Sequence, residues 1–193
     1  MFMSESKIIE KAIGVLLNGG VIGYPTDTTY GIGCRASDLA AVDKILELKG
    51  RDAGKPMSLA FSSVEMIKDY AEVSPSIEKI LAEYLPGPYT FLLTKKNTVY
   101  DKITAGLPKV GVRIPDFPLI LKIIKELNLP IITTSANLSG EPDITRSDDL
   151  KLKVDFIIPG VCPIGIPSTL IDLENKRILR EGAGLDFAKK IIV

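Results

Sequence analysis

The chain contains no histidine, and of all its absences this one removes the most chemistry. Without imidazole there is no Ser-His or Cys-His nucleophile pair and no HExxH zinc site. The side chain whose ordinary pKa lies nearest neutrality is also missing. Cysteine is scarce: Cys34 and Cys162 stand far apart and fit no metal-ligand spacing. Both read as reduced, buried thiols of a cytoplasmic protein. Neither sign of charge is in excess, with 24 Lys+Arg against 24 Asp+Glu, so no overall field draws the chain to nucleic acid or a membrane surface. No apolar run approaches the roughly 18 residues of a membrane span, and the N-terminus lacks a signal-peptide pattern. Carboxylates, Lys, Arg, hydroxyls, backbone amides and a bound cation remain for any reaction. That inventory suits charge stabilisation better than proton shuttling.

What is present is enough for one well-buried core: 193 residues, 46% of them hydrophobic. Ile8, Ile9, Ala12, Ile13, Leu16 and Leu17 recur at helical spacing and stop at Asn18-Gly19-Gly20. Val21–Tyr24 and Tyr30–Cys34 read as strands. Ser37-Asp38 caps a helix carrying Leu39, Val42, Ile45 and Leu46 that ends near Gly50. Met57–Phe61 reads as a strand, with helical patterns around Val64–Tyr70 and Ile77–Tyr84. Leu85-Pro86-Gly87-Pro88 breaks the chain before the strand Tyr89–Thr94. Val110–Ile114 is a strand, and Asp116 with Pro118 opens a helix through Leu127. Pro130–Thr134 is a strand running into the loop Ser135–Pro142, and Val154–Ile158, Thr169–Leu173 and Arg177–Arg180 are short strands. No repeat or linker interrupts the pattern, so residues 1–193 read as a single α/β domain. Long helical crossovers alternate with short hairpin-like joins, which predicts a twisted, mixed sheet with flanking helices.

Two familiar motifs fail on context. Gly31-x-Gly33-x-x-Ala36 matches the dinucleotide fingerprint as a string, but its glycines lie within a strand pattern and the helix cap comes later. Gly50 to Pro56 resembles a phosphate loop that is one residue short, with Pro56 where a hydroxyl should meet magnesium.

The remaining polar candidates sit just past strand or helix ends, where open α/β sheets place ligands. Thr26, Asp27, Thr28 and Thr29 fill the turn between two apolar half-strands, directly behind Pro25. Lys49-Gly50-Arg51 follows the second helix, where cations and a glycine cap are also ordinary. Ser135-Ala136-Asn137 follows a strand and is compatible with plain turn chemistry. Arg113 lies inside the apolar strand Val110–Ile114, so it needs a carboxylate or phosphate partner, from a ligand or from the scaffold. Ser168-Thr169 opens a strand.

Eight stretches, in order, carry a resemblance: GGVIGYPTDTTYGIG, LKGR, KPMSLAF, LPGPYTFLL, VGVRIP, TTSANLSGEP, PSTLIDL and ILREGAG. Together, from about Ile8 to Gly184, they resemble YrdC-domain proteins, the threonylcarbamoyl-AMP synthases that serve formation of threonylcarbamoyl-adenosine in tRNA. The resemblance implies a YrdC-like fold with a concave, positively lined cavity, and no extra C-terminal domain. It implies a nucleotidyltransferase that joins L-threonine, bicarbonate or CO2, and ATP with Mg2+, releasing pyrophosphate. Its product would pass to a downstream tRNA-modifying threonylcarbamoyl transferase, without strong nucleic-acid binding by this chain.

By the same resemblance, Thr26, Thr28, Ser58, Arg113, Thr133 and Ser168 hold L-threonine, with Arg113 on its carboxylate. Lys49, Arg51, Ser135 and Asn137 face the nucleotide phosphates, and Lys109, Asp143 and Arg180 make further ATP contacts. No protein ligand to the metal is implied. The chain departs from the pattern at Thr133-Thr134, where many relatives have Ala-Pro, and at Phe117, where many have histidine. Lys109 and Asp143 replace small hydroxyl residues. An RNA-binding module and a carbamoyl-adenylate enzyme using carbamoyl phosphate are the alternative readings; the balanced charge speaks against the first.

Overall fold

The computed structural model describes residues 3–50, 55–138 and 140–192. Its strands form one nine-stranded sheet in the order β7-β1-β2-β6-β3-β5-β4-β8-β9. The strands are β1 (Ile22–Tyr24), β2 (Gly31–Gly33), β3 (Ser58–Ala60), β4 (Tyr89–Thr94), β5 (Lys109–Arg113), β6 (Ile131–Ser135), β7 (Phe156–Ile157), β8 (Thr169–Asp172) and β9 (Arg177–Arg180). The pairs β1/β7, β3/β5 and β4/β8 are parallel and the other neighbours antiparallel, so the sheet is mixed as the alternation of elements implied.

Helix α1 (Glu5–Leu17) buries Ile9, Ala12 and Leu16, the face its periodicity selects. It ends where Asn18 donates both its backbone and side-chain N–H groups to the Gly14 carbonyl, at 3.2 and 2.8 Å. Helix α2 (Leu39–Leu48) starts at Asp38, whose carboxylate accepts from the Ala41 amide at 3.1 Å. Helices α3 (Val64–Lys68) and α4 (Pro75–Tyr84) follow, capped by Ser63 and Ser74. Helix α6 (Pro118–Leu127) begins directly after Phe117 rather than at a capping Asp116 side chain. Helices α5 (Asp101–Thr104) and α7 (Leu185–Ile191) have no counterpart in the sequence reading; each is too short for a helical period to register. Among the described residues no helix is long and apolar enough to cross a membrane.

The register divides the sheet into two unlike faces. Residues paired directly across strands share a face, as do residues two apart. Gly31 pairs with Ser135, Ser58 with both Thr133 and Gly111, and Arg113 follows Gly111 by two. One face therefore carries glycine, hydroxyls and a guanidinium. On the other face Leu59, Ile132, Val112 and Phe91 meet, and helices α2, α3 and α4 bury them. Helices α1 and α6 cover only part of the polar face, over Ile22, Tyr24, Ala60 and Ile131. The rest stays open.

Gly33 and Gly111 are structural requirements of this arrangement. A Cβ on Gly33 would lie 2.2 Å from the Ile132 carbonyl, and one on Gly111 would lie 2.3 Å from the Ser58 hydroxyl. The GxG string therefore serves strand packing inside β2.

Lys109, at the start of β5, ties three strands together. Its ammonium donates to Asp172 at 2.7 Å and pairs with Glu174 at 2.9 Å, while Glu174 also accepts from the Thr94 hydroxyl at 2.7 Å. Burial works to raise the Asp172 carboxyl, but Lys109 and Asn175 outweigh it and hold it below the ordinary 3.8. A carboxyl lowered on folding stabilises the protein above its unfolded pKa, and that contribution is lost as pH falls through the folded value. Asp172→Asn is expected to cost roughly 1.5–3 kcal/mol at neutral pH. Denaturation of both proteins across pH checks this: the gap should close as pH drops below 3.8, and a pH-independent gap would contradict it.

Candidate active site

The open part of the polar face forms a cavity of about 170 Å³. Its roof begins with the loop between β1 and β2. Residues 25–30 are buried throughout, which a polar loop tolerates only if its groups are satisfied. Apart from Asp27 Oδ2, their buried side-chain polar atoms are paired. The Thr26 hydroxyl donates to the Thr29 carbonyl at 2.8 Å and accepts from the Thr28 amide at 3.1 Å. The segment after β7 lies over the loop, with the Ile164 and Gly165 amides donating to the Asp27 and Thr28 carbonyls at 3.1 and 2.9 Å. The Thr26 amide points at the Cys162 sulfur at 3.4 Å, and burial raises that thiol, keeping it protonated. The hydroxyls at the tip thus replace glycine by capping the turn internally. Thr26 and Thr29 also line the cavity, whereas Thr28 lies behind it.

Arg113 lines the cavity from β5 and has a partner the sequence reading did not assign. Its Nη2 meets Asp27 Oδ1 at 2.6 Å, with the two side chains only 8% and 5% exposed. Both terminal nitrogens also donate to Thr28 Oγ1, at 3.3 Å each. Burial pushes the Asp27 carboxyl upward, and the Arg113 charge works against that push. A scaffold ion pair and a place on the cavity wall, posed as alternatives for Arg113, coexist.

Lys49, Ser135 and Asn137 come together at the C-terminus of α2. The Lys49 ammonium, 4% exposed, donates to the carbonyls of Ser135 and Asn137 (the latter at 2.8 Å) and to Asn137 Oδ1 at 3.3 Å. The Ser135 hydroxyl donates to the same Oδ1 at 2.5 Å, and Asn137 Nδ2 donates to the Glu141 carbonyl. Ser135 reaches the cavity itself. Arg51 lies outside the described residues.

The far wall carries Ser168 and Arg180. Arg180 donates through Nε to the Ser168 carbonyl and through Nη2 to its hydroxyl, both at 3.0 Å. Ser168 Oγ also lies 2.7 Å from Thr90 Oγ1, on β4. Burial lowers the Arg180 pKa, Asp143 opposes this, and Arg113 reinforces it, so the two guanidiniums feel each other across the site. Ser58, Thr133 and Asp143 also line the cavity. Lys109 stands apart, held by Asp172 and Glu174 away from the cavity. Thr90 is a site residue the sequence reading missed, whereas Asp27 and Thr29 stood among its loop candidates without an assigned role. A threonine in a strand gives no signal, while a carboxylate set among buried hydroxyls did.

Two arginines and a ring of hydroxyls around a small cavity favour a polar anion with hydrogen-bonding capacity. Among the described residues no cluster of His, Cys, Asp and Glu could hold a metal ion. Fold and site together define an α/β protein whose mixed sheet keeps, on its open polar face, a cavity suited to a small anionic ligand.

Residues 14–182 match the Sua5/YciO/YrdC family model, described as "Telomere recombination", and the chain belongs to that family. It is 38% identical over 186 residues to a protein of Methanocaldococcus jannaschii, covering 92% of this chain and 87% of that one. It is 39% identical over 171 residues to the threonylcarbamoyl-AMP synthase of Pyrococcus abyssi, covering 86% of this chain but only 50% of that protein. Crystallised as P. abyssi Sua5 complexed with L-threonine, a homologous fold superposes with a TM-score of 0.92 at 36% identity, over 100% of this chain and 59% of that one. A threonylcarbamoyl-AMP synthase of Vibrio campbellii, 29% identical over 184 residues, is matched along 100% of its length, with 91% of this chain covered.

The buried pair makes a stability prediction. Arg113→Met leaves the Asp27 charge uncompensated and is expected to cost about 3–5 kcal/mol. Adding Asp27→Asn should recover part of that loss, which urea denaturation of the single and double variants measures. Strict additivity would show that the two side chains do not depend on each other.

Proposed function

We propose that this chain is a threonylcarbamoyl-AMP synthase, acting in the cytoplasm for tRNA modification. One observation carries the reading: Thr26, Ser58, Arg113, Thr133, Ser135, Asp143, Ser168 and Arg180 line one cavity, and Lys49 and Asn137 are hydrogen-bonded to Ser135 at its rim. The P. abyssi complex with L-threonine supports the same substrate.

In this reading L-threonine sits with its carboxylate on Arg113, which gives Asp27 only Nη2 and keeps further donors available. The hydroxyls of Thr26, Ser58, Thr133 and Ser168 surround its hydroxyl and amine. The neutral amine attacks bicarbonate carbon; an N–C bond forms, hydroxide leaves, and with one amine proton it departs as water. No protein base is required, which suits a chain without histidine. A carbamate oxygen then attacks the α-phosphorus of Mg·ATP, and the bond to the bridging oxygen breaks as pyrophosphate leaves with the electron pair.

The chain's part in that step is to position the reactants and offset phosphate charge. Lys49, Ser135 and Asn137 form the phosphate side, joined in this proposal by Arg51 and Asp143. Arg180 bridges the two halves of the site. The metal enters with the nucleotide. The resulting mixed anhydride would be consumed by a transferase that acylates adenosine in tRNA.

Pyrophosphate release should require L-threonine, bicarbonate, ATP and Mg2+ together, with threonylcarbamoyl-AMP detected by mass spectrometry. Serine should be used with kcat/KM lower by roughly tenfold or more, because it lacks the methyl group. Release without threonine, or turnover driven by carbamoyl phosphate instead, would overturn the assignment.

A further inference from the structure

Asp27 is absent from the cavity lining, yet it makes the shortest contact to the arginine that lines it. Its backbone is pinned by the Ile164 amide at 3.1 Å, and the loop it belongs to is buried along its whole length. Only one edge of the ion pair is used. Among the described residues, Asp27 Oδ2 and Arg113 Nε are buried and have no hydrogen-bond partner. A pair kept for stability alone would be expected to use both carboxylate oxygens, since buried polar atoms left unmatched are costly. The remaining contact, from both terminal nitrogens to Thr28 Oγ1, is long at 3.3 Å. The guanidinium is thus anchored by one strong bond to Asp27 and two long ones to Thr28, which leaves one Nη1 proton and the Nε–H without a partner.

We infer that Asp27 is a positioning residue for L-threonine: by holding Arg113 through Nη2, it aims the remaining donors at the substrate carboxylate. This rests on the threonine assignment made above. Two opposing effects are separable by sign. Asp27 also partly cancels the Arg113 charge, so if charge were its main influence, removing it would tighten binding of a carboxylate. If position dominates, removing it loosens binding, because a carboxylate is recognised by fork geometry as well as by charge.

The experiment is calorimetric titration of L-threonine, and separately of Mg·ATP, into the full chain as wild type, Asp27→Asn and Asp27→Ala. Asn preserves the shape and one acceptor; Ala removes both. Positioning predicts weaker threonine binding in the order Ala, then Asn, with the Ala variant weaker by roughly ten- to a hundredfold. Mg·ATP affinity should stay within about twofold of wild type, and Asp27→Ala should add little further loss in an Arg113→Lys background. Should Asp27→Ala fail to fold, the near-isosteric Asn variant carries the same test through the ratio of threonine to Mg·ATP affinities. Tighter threonine binding in either variant overturns the inference, as does a lowered Tm with threonine affinity unchanged. Wild-type protein that does not bind L-threonine at all overturns the substrate assignment and this inference with it, whereas normal wild-type binding with indifferent Asp27 variants removes this inference alone.

Discussion

A guanidinium in the middle of a β-sheet must be paired, and in this protein the loop between β1 and β2 is built around that need. Arg113 can remain buried because Asp27 reaches it from 86 residues earlier in the chain. Holding Asp27 there requires the loop to fold down over the sheet. Once down, the loop buries its own threonines, and they must satisfy one another. The segment after β7 then closes over the loop with two backbone bonds. The cavity is what these successive constraints leave open. Its shape follows from the requirements of one charged side chain.

The division of the sheet into faces explains why a small protein can spare this space. The apolar face, with Leu59, Val112, Phe91 and Ile132 fully buried beneath α2, α3 and α4, supplies most of the core. The opposite face therefore need not be packed completely. Helices α1 and α6 cover only its apolar end, leaving hydroxyls, glycine and arginine to line the cavity. Catalysis on such a surface relies on fixed donors and cations, and the absence of histidine is consistent with a reaction that needs alignment more than proton transfer.

Much of this was legible in the sequence, for identifiable reasons. Helices α1 and α6 carry unambiguous apolar periods, and Gly31 and Gly33 lie in a strand as their neighbours implied. Arg113 stood out because an arginine within an apolar strand demands a partner. The identity of that partner was not legible, since spacing along the chain says nothing about a contact across 86 positions. Lys109 shows the same limit in reverse. It looked available to a nucleotide, but Asp172, 63 positions away, and Glu174 hold it on the sheet. Thr90 was invisible because threonine is ordinary in strands, and only the register sets its hydroxyl against Ser168. Lys49, Ser135 and Asn137 were selected by motif resemblance, and the structure adds their mutual hydrogen bonds.

In the proposed complex Arg113, held by Asp27, receives the carboxylate of L-threonine within this cavity. A crystal structure of the chain with L-threonine and a non-hydrolysable Mg·ATP analogue tests it most directly. The expected result is a threonine carboxylate within hydrogen-bonding distance of Arg113, with Asp27 still on Nη2 and the phosphates beside Lys49, Ser135 and Asn137. Threonine bound elsewhere, or seated in the cavity with Arg113 turned away from it, would contradict this arrangement.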